Sequence, residues 1–151
     1  MKILLIIPFC LITKWGISQT IDSVENYVKE DTSLLSKIPY QNEITIKMGF
    51  RVFSPKKEEI EITDSVLQRR LLNDKIALKG YFLQLMFVFD STGKKNVYIV
   101  GECKWLEKDI NSEFLKSHWA TFDDGGKCCF GVQIDLQKRK IINFTYEGGG
   151  G

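Results

Sequence analysis

The nine residues Tyr81–Phe89 (YFLQLMFVF) constrain the fold more than any other stretch of the chain. Side chains alternate across a strand, so Tyr81, Leu83, Leu85, Phe87 and Phe89 line one face while Phe82, Met86 and Val88 line the other. A strand that is apolar on both faces must be covered on both, which predicts a central strand. Asp90-Ser91-Thr92-Gly93 then supplies turn chemistry, and Asn96–Trp105 reads as the hairpin partner.

The remaining elements are placed around that strand. Ile21, Val24, Val28 and Leu35 recur at helical spacing and predict an N-terminal helix over 20–38, either continuous or broken in two at Asp31-Thr32-Ser33, whose side chains compete for backbone hydrogen bonds, and ended by Pro39. Ile44, Ile46, Met48, Phe50 and Val52 alternate with polar residues and predict a strand over 43–53, followed by a turn at Ser54–Lys57. Glu59–Thr63 reads as a short return strand, and Asp64 as the cap of a helix from Ser65 to about Lys75. A short helix is expected near Asp109–Lys116, with strands at His118–Phe122, Cys128–Leu136 and Lys140–Tyr146. Strands joined by tight turns imply an α+β domain, a curved, mostly antiparallel sheet with helices packed on one face. The C-terminal hairpin, Gly131–Leu136 with Ile141–Phe144, together with this element order, resembles the cystatin-like and nuclear-transport-factor-2-like folds. The resemblance implies an architecture and no function.

The N-terminus reads as an export signal. Met1-Lys2 gives a positive start, Ile3–Ile12 is an apolar run, and Gly16-Ile17-Ser18 offers the small residues a signal peptidase recognises. The run is about ten residues, where a membrane span needs about twenty. Cleavage is expected after Ser18, leaving one domain over 19–147 and a disordered glycine tail, 148–151. Cys10 raises a lipoprotein alternative, which the bulky Phe9 before it and the continuing apolar run disfavour. The expected location is the periplasm or the medium, with no stable membrane anchor once the signal is removed.

Removal of the signal changes the charge. The full chain has 21 Lys+Arg against 19 Asp+Glu; Lys2 and Lys14 leave and no acid does, so the mature chain stands at 19 against 19. A neutral domain has no bulk attraction for phosphate backbones or anionic lipid, so no nucleic-acid partner is expected. The basic spots Lys56-Lys57, Arg69-Arg70 and Lys138-Arg139-Lys140 read as solvated surface.

Three cysteines remain after cleavage: Cys103, Cys128 and Cys129. Strand phase points Cys103 and Cys128 to one apolar face and Cys129 to the other. A Cys103–Cys128 bridge would close a loop of about 26 residues, worth about 3.5 kcal/mol on the chain-entropy estimate. The alternative is two buried thiols. Cys129 with His118, the only histidine in the chain, forms a candidate nucleophile pair; a surface histidine at a strand start is the plainer reading. Glu102 is a candidate acid or base if its face of the sheet lines a pocket.

No metal site or cofactor is expected: adjacent cysteines project to opposite faces, and Asp123-Asp124-Gly125-Gly126 is turn chemistry without the spacing of a calcium loop. Asn143-Phe144-Thr145 is a formal glycosylation sequon inside a strand. With no nucleophile elbow, phosphate loop or zinc motif present, the chain reads as a non-enzymatic exported module. It would bind a protein, peptide or small ligand, with Trp105, Trp119 and Tyr146 as candidate contact aromatics. The alternative is a small secreted enzyme or thiol protein using Cys129 with His118 or Glu102.

Overall fold

The computed structural model describes residues 20–38, 49–104, 112–121 and 125–147. The signal segment, most of the 43–53 strand, Trp105, Asp123-Asp124 and the glycine tail lie outside the described residues. The chain forms one α+β domain around a six-stranded, mostly antiparallel open sheet. Its elements are β1 (Asn26–Lys29), β2 (Arg51–Val52), α1 (Lys57–Asn73), β3 (Tyr81–Phe89), β4 (Lys95–Cys103), α2 (Ser112–Ser117), β5 (Gly126–Asp135) and β6 (Lys140–Glu147).

β3 is the centre. It pairs antiparallel with β4 over its whole length, from Tyr81↔Cys103 to Phe89↔Lys95. Its other edge is shared by β1, parallel, and β2, antiparallel. β4, β5 and β6 continue as an antiparallel meander.

The two apolar faces of β3 feed two separate cores, as its sequence requires. Leu83, Leu85 and Phe87 join Val97, Ile99, Phe130 and Val132 in the first core, covered by Leu67 and Leu71 of α1. Phe82, Met86 and Val88 join Tyr98 and Val100 in the second, covered by Leu34, Leu35, Leu115 and Trp119. Helices therefore lie on both faces, not on one.

Two further expectations are corrected. Residues 20–38 do not form a single helix: 3₁₀ turns at Ile21–Ser23 and Thr32–Lys37 flank β1. Asp64 accepts a hydrogen bond from the Ile21 amide at 2.7 Å, and Asn26 donates to the carbonyls of Ile21 and Val24, so polar contacts fix the turn. Ile21 and Val24 belong to the first core, while Leu34, Leu35 and Ile38 belong to the second. One straight helix could not serve both faces.

The stretch expected as a return strand, Glu59–Thr63, is part of α1, which starts at Lys57. Glu59 reaches back to the Lys56 amide at 2.6 Å, the acidic half of a capping box.

Glu59 is buried and also bonds the Lys95 ammonium. Burial alone would raise its pKa, but the Lys95 bond, the Lys56 amide and the charges of both lysines outweigh that and hold it below the ordinary value. A depressed carboxylate contributes stability above its unfolded pKa of about 4.3, and the contribution is lost as pH falls through the folded value. The stability gap between wild type and Glu59→Gln, measured by denaturant unfolding, should be full at pH 6 and narrow below about pH 4. A gap independent of pH would show that the ion pair contributes nothing to it.

Candidate functional site

The second face of the sheet holds the candidate chemistry. The ladders pair Phe82 with Glu102, and Glu102 in turn with Cys129, so the acid and the thiol are direct cross-strand neighbours on one face. Strand alternation puts Gln84 and Val100 on that face too. The segment from Leu115 to Ala120 lies over them. Phe82, Gln84, Val100, Glu102, Leu115 and Ala120 line a crevice between sheet and cover that is too narrow to admit a water molecule.

Gln84 holds the cover down. Its amide nitrogen donates to the carbonyls of Leu115 and His118, both at 2.6 Å, and its oxygen accepts from the Ala120 amide at 2.8 Å. These bonds satisfy backbone groups that leave α2 with no strand to pair with, in the region where the sequence suggested a strand at 118–122. Gln84 was not marked by any motif. The available signal was its position as the one polar residue in the Tyr81–Phe89 run, since a buried amide must find partners. Lys29, buried at the end of β1, adds a bond from its ammonium to the Leu115 carbonyl, and desolvation lowers its pKa. Replacing Gln84 with Leu should destabilise the domain by about 2–3 kcal/mol, because the His118 carbonyl and the Ala120 amide lose their partner in a water-poor setting while the Leu115 carbonyl keeps only Lys29. Amide exchange should accelerate first at 115–120; uniform acceleration across the sheet would count against a role local to the cover.

Cys129 and His118 differ in exposure. Cys129 is 0% exposed and remains a thiol. Gly125 lies directly against it: a β-carbon on Gly125 would sit 2.3 Å from Cys129 Sγ. The His118 side chain is exposed. Its ring stacks on Phe114 at 4.4 Å, and its Nδ1 is 2.8 Å from Ser117 Oγ. Glu102 is 3% exposed. Tyr98, on the same face, has its phenol pushed up to about 12 by burial and then by the charge of Asp90.

Cys103 and Cys128 form a disulfide with a Cα separation of 4.8 Å, just beyond the last ladder pair of β4 and β5. Two of the three aromatics named as contact candidates are packed. Trp119 is buried in the second core. Tyr146 is partly buried beside α1 and donates to Asp74. Burial and the Asp74 carboxylate raise its pKa, while the Tyr146 and Arg70 bonds lower that of Asp74. Among the described residues no cluster of His, Cys, Asp and Glu is arranged to hold a metal ion, and no helix is long and apolar enough to cross a membrane.

No family model, no curated protein and no solved structure matches the chain.

Proposed function

We propose that the chain is an exported, non-enzymatic binding module for a protein, peptide or small ligand, acting in the periplasm or the medium. The observation that carries the reading is the seclusion of its reactive groups. Cys129 and Glu102 are 0% and 3% exposed, beside a crevice without room for water, so it is the outer surface that meets other molecules. The Cys103–Cys128 disulfide supports the location, because such bonds persist in oxidising compartments. The test is capture from periplasmic or culture fluid with the tagged mature domain as bait. Retention of a defined partner is expected; repeated capture of none would remove the reading.

The second reading, a thiol protein or small enzyme, is favoured by one observation: Glu102 and Cys129 are cross-strand partners. Alkylation separates the two. A chain lacking residues 1–18 should show no reactive thiol when native and one when unfolded without reductant. A native thiolate titrating well below pH 8 would favour the second reading.

A further inference from the structure

Basic residues that are scattered in the sequence converge at one end of the sheet. The β3–β4 turn and the β5–β6 turn lie side by side there, since Lys95 pairs with Phe89, Asn96 with Asp135, and the Leu136 amide bonds the Lys95 carbonyl. The start of α1 lies over them, because Glu59 bonds Lys95 and Glu58 lies 3.8 Å from Arg139. β2 brings Arg51 opposite Phe89. Neighbouring strands are about 4.8 Å apart, so β2 to β6 set a row about 19 Å wide along the sheet's end, with Arg51 in register with Phe89 and Lys95 on the first-core face and Lys140 in register with Asp135 and Asn96 on the second-core face.

The acids at this end do not cancel the row. Glu59 and Asp135 are buried and are matched by Lys95 and Lys138. The Asp90 carboxylate is taken up by Thr92 and the Lys94 amide within its turn. Glu58 and Glu61 remain exposed, facing Arg139 and Lys57. Arg51, Lys56, Lys94 and Lys140 are exposed and make no close salt bridge among the described residues, although Lys56 and Lys94 act at longer range on Glu59 and Asp90.

We propose that this end of the sheet is the docking surface of the binding module and that its occupant is an acidic surface or segment of a protein. The proposal rests on the binding reading above and names its partner class. Two observations favour a protein over a uniform polyanion or a lipid surface. Glu58, 3.8 Å from Arg139, puts an exposed negative charge at this end, which disfavours a uniformly negative chain more than a protein of mixed charge. Ile142, 52% exposed on β6 close to Lys140, adds an apolar contact at the border.

The experiment uses the mature chain with a fluorescent Glu-rich peptide, a sulfated polysaccharide and anionic phospholipid vesicles as parallel probes. The peptide is expected to bind in a salt-sensitive manner. Lys56→Glu/Lys94→Glu/Lys140→Glu should weaken it at least about tenfold. Arg69→Glu/Lys116→Glu/Lys127→Glu, an equal charge change elsewhere, should weaken it by less than about threefold, with folding of both variants checked by circular dichroism. The proposal is overturned if both triple variants weaken the peptide equally, or if only polysaccharide or vesicles bind. It is also overturned if a partner captured from fluid is retained equally by wild type and the first variant, in which case the binding reading stands. Loss of both peptide binding and fluid capture removes the two together.

Discussion

Replacing the bridge by Cys103→Ala/Cys128→Ala is expected to cost about 3.5 kcal/mol of unfolding free energy, the chain-entropy value for a loop of this length. The residues are 25 apart in sequence, and the loop between them contains α2 and the cover over the second core. The bridge therefore fastens the base of an excursion whose outer part is held by Gln84 and Lys29. Two signatures should accompany the loss in denaturant titrations. The dependence on denaturant should steepen, because the uncrosslinked unfolded chain exposes more surface. Exchange at 112–121 should accelerate more than in β3 or β4. A stability change below about 1 kcal/mol would mean that native contacts of the cover, and not the covalent link, set its stability.

The second large effect is expected at Gly101. It pairs with Phe130 across β4 and β5, and the Phe130 ring lies over it so closely that an added β-carbon would stand 2.1 Å from the ring. The ring has nowhere to retreat. It is fully buried, 5.2 Å from Tyr81 and 5.9 Å from Phe144 between centroids. Gly101→Ala should therefore cost about 3 kcal/mol, the upper part of the usual range for overpacking. Combining it with Phe130→Leu should cost less than the sum of the two single changes, by about 1–3 kcal/mol. Strict additivity in that cycle would show that the cost at Gly101 has another origin.

How far this arrangement was legible depends on the kind of signal. Tyr81–Phe89 announced a central strand because its two faces carry independent apolar sets, and the same alternation put Cys103 and Cys128 on one face, while the bridge between them needed the β4–β5 pairing. The 20–38 segment misled for a physical reason. Ile21, Val24, Val28 and Leu35 have helical spacing, yet Ile21 and Val24 pack in the first core, Leu35 packs in the second and Val28 is exposed, and only tertiary structure assigns them. Glu59-Ile60-Glu61-Ile62 alternates like a strand, but Glu59 closes a helix start and bonds a lysine far along the chain. At the candidate site, strand phase separated Cys129 from the other two cysteines and marked Glu102 as mid-strand. Their pairing needed the β4–β5 register, which no local pattern encodes. Gln84 escaped notice because its partners are three backbone groups, and backbone leaves no mark in sequence.

The parallel pairing of β1 with β3 also sets an order of assembly. β3 to β6 form by successive antiparallel pairings, whereas Asn26 must find Leu83, more than a third of the chain away. Contacts of such separation form late, because closing the intervening loop costs entropy before it is repaid. In a chain that emerges amino end first, β1 is made early and docked late. Its backbone edge has no strand to pair with until Leu83–Met86 have appeared, so it stays open to other pairings for that interval.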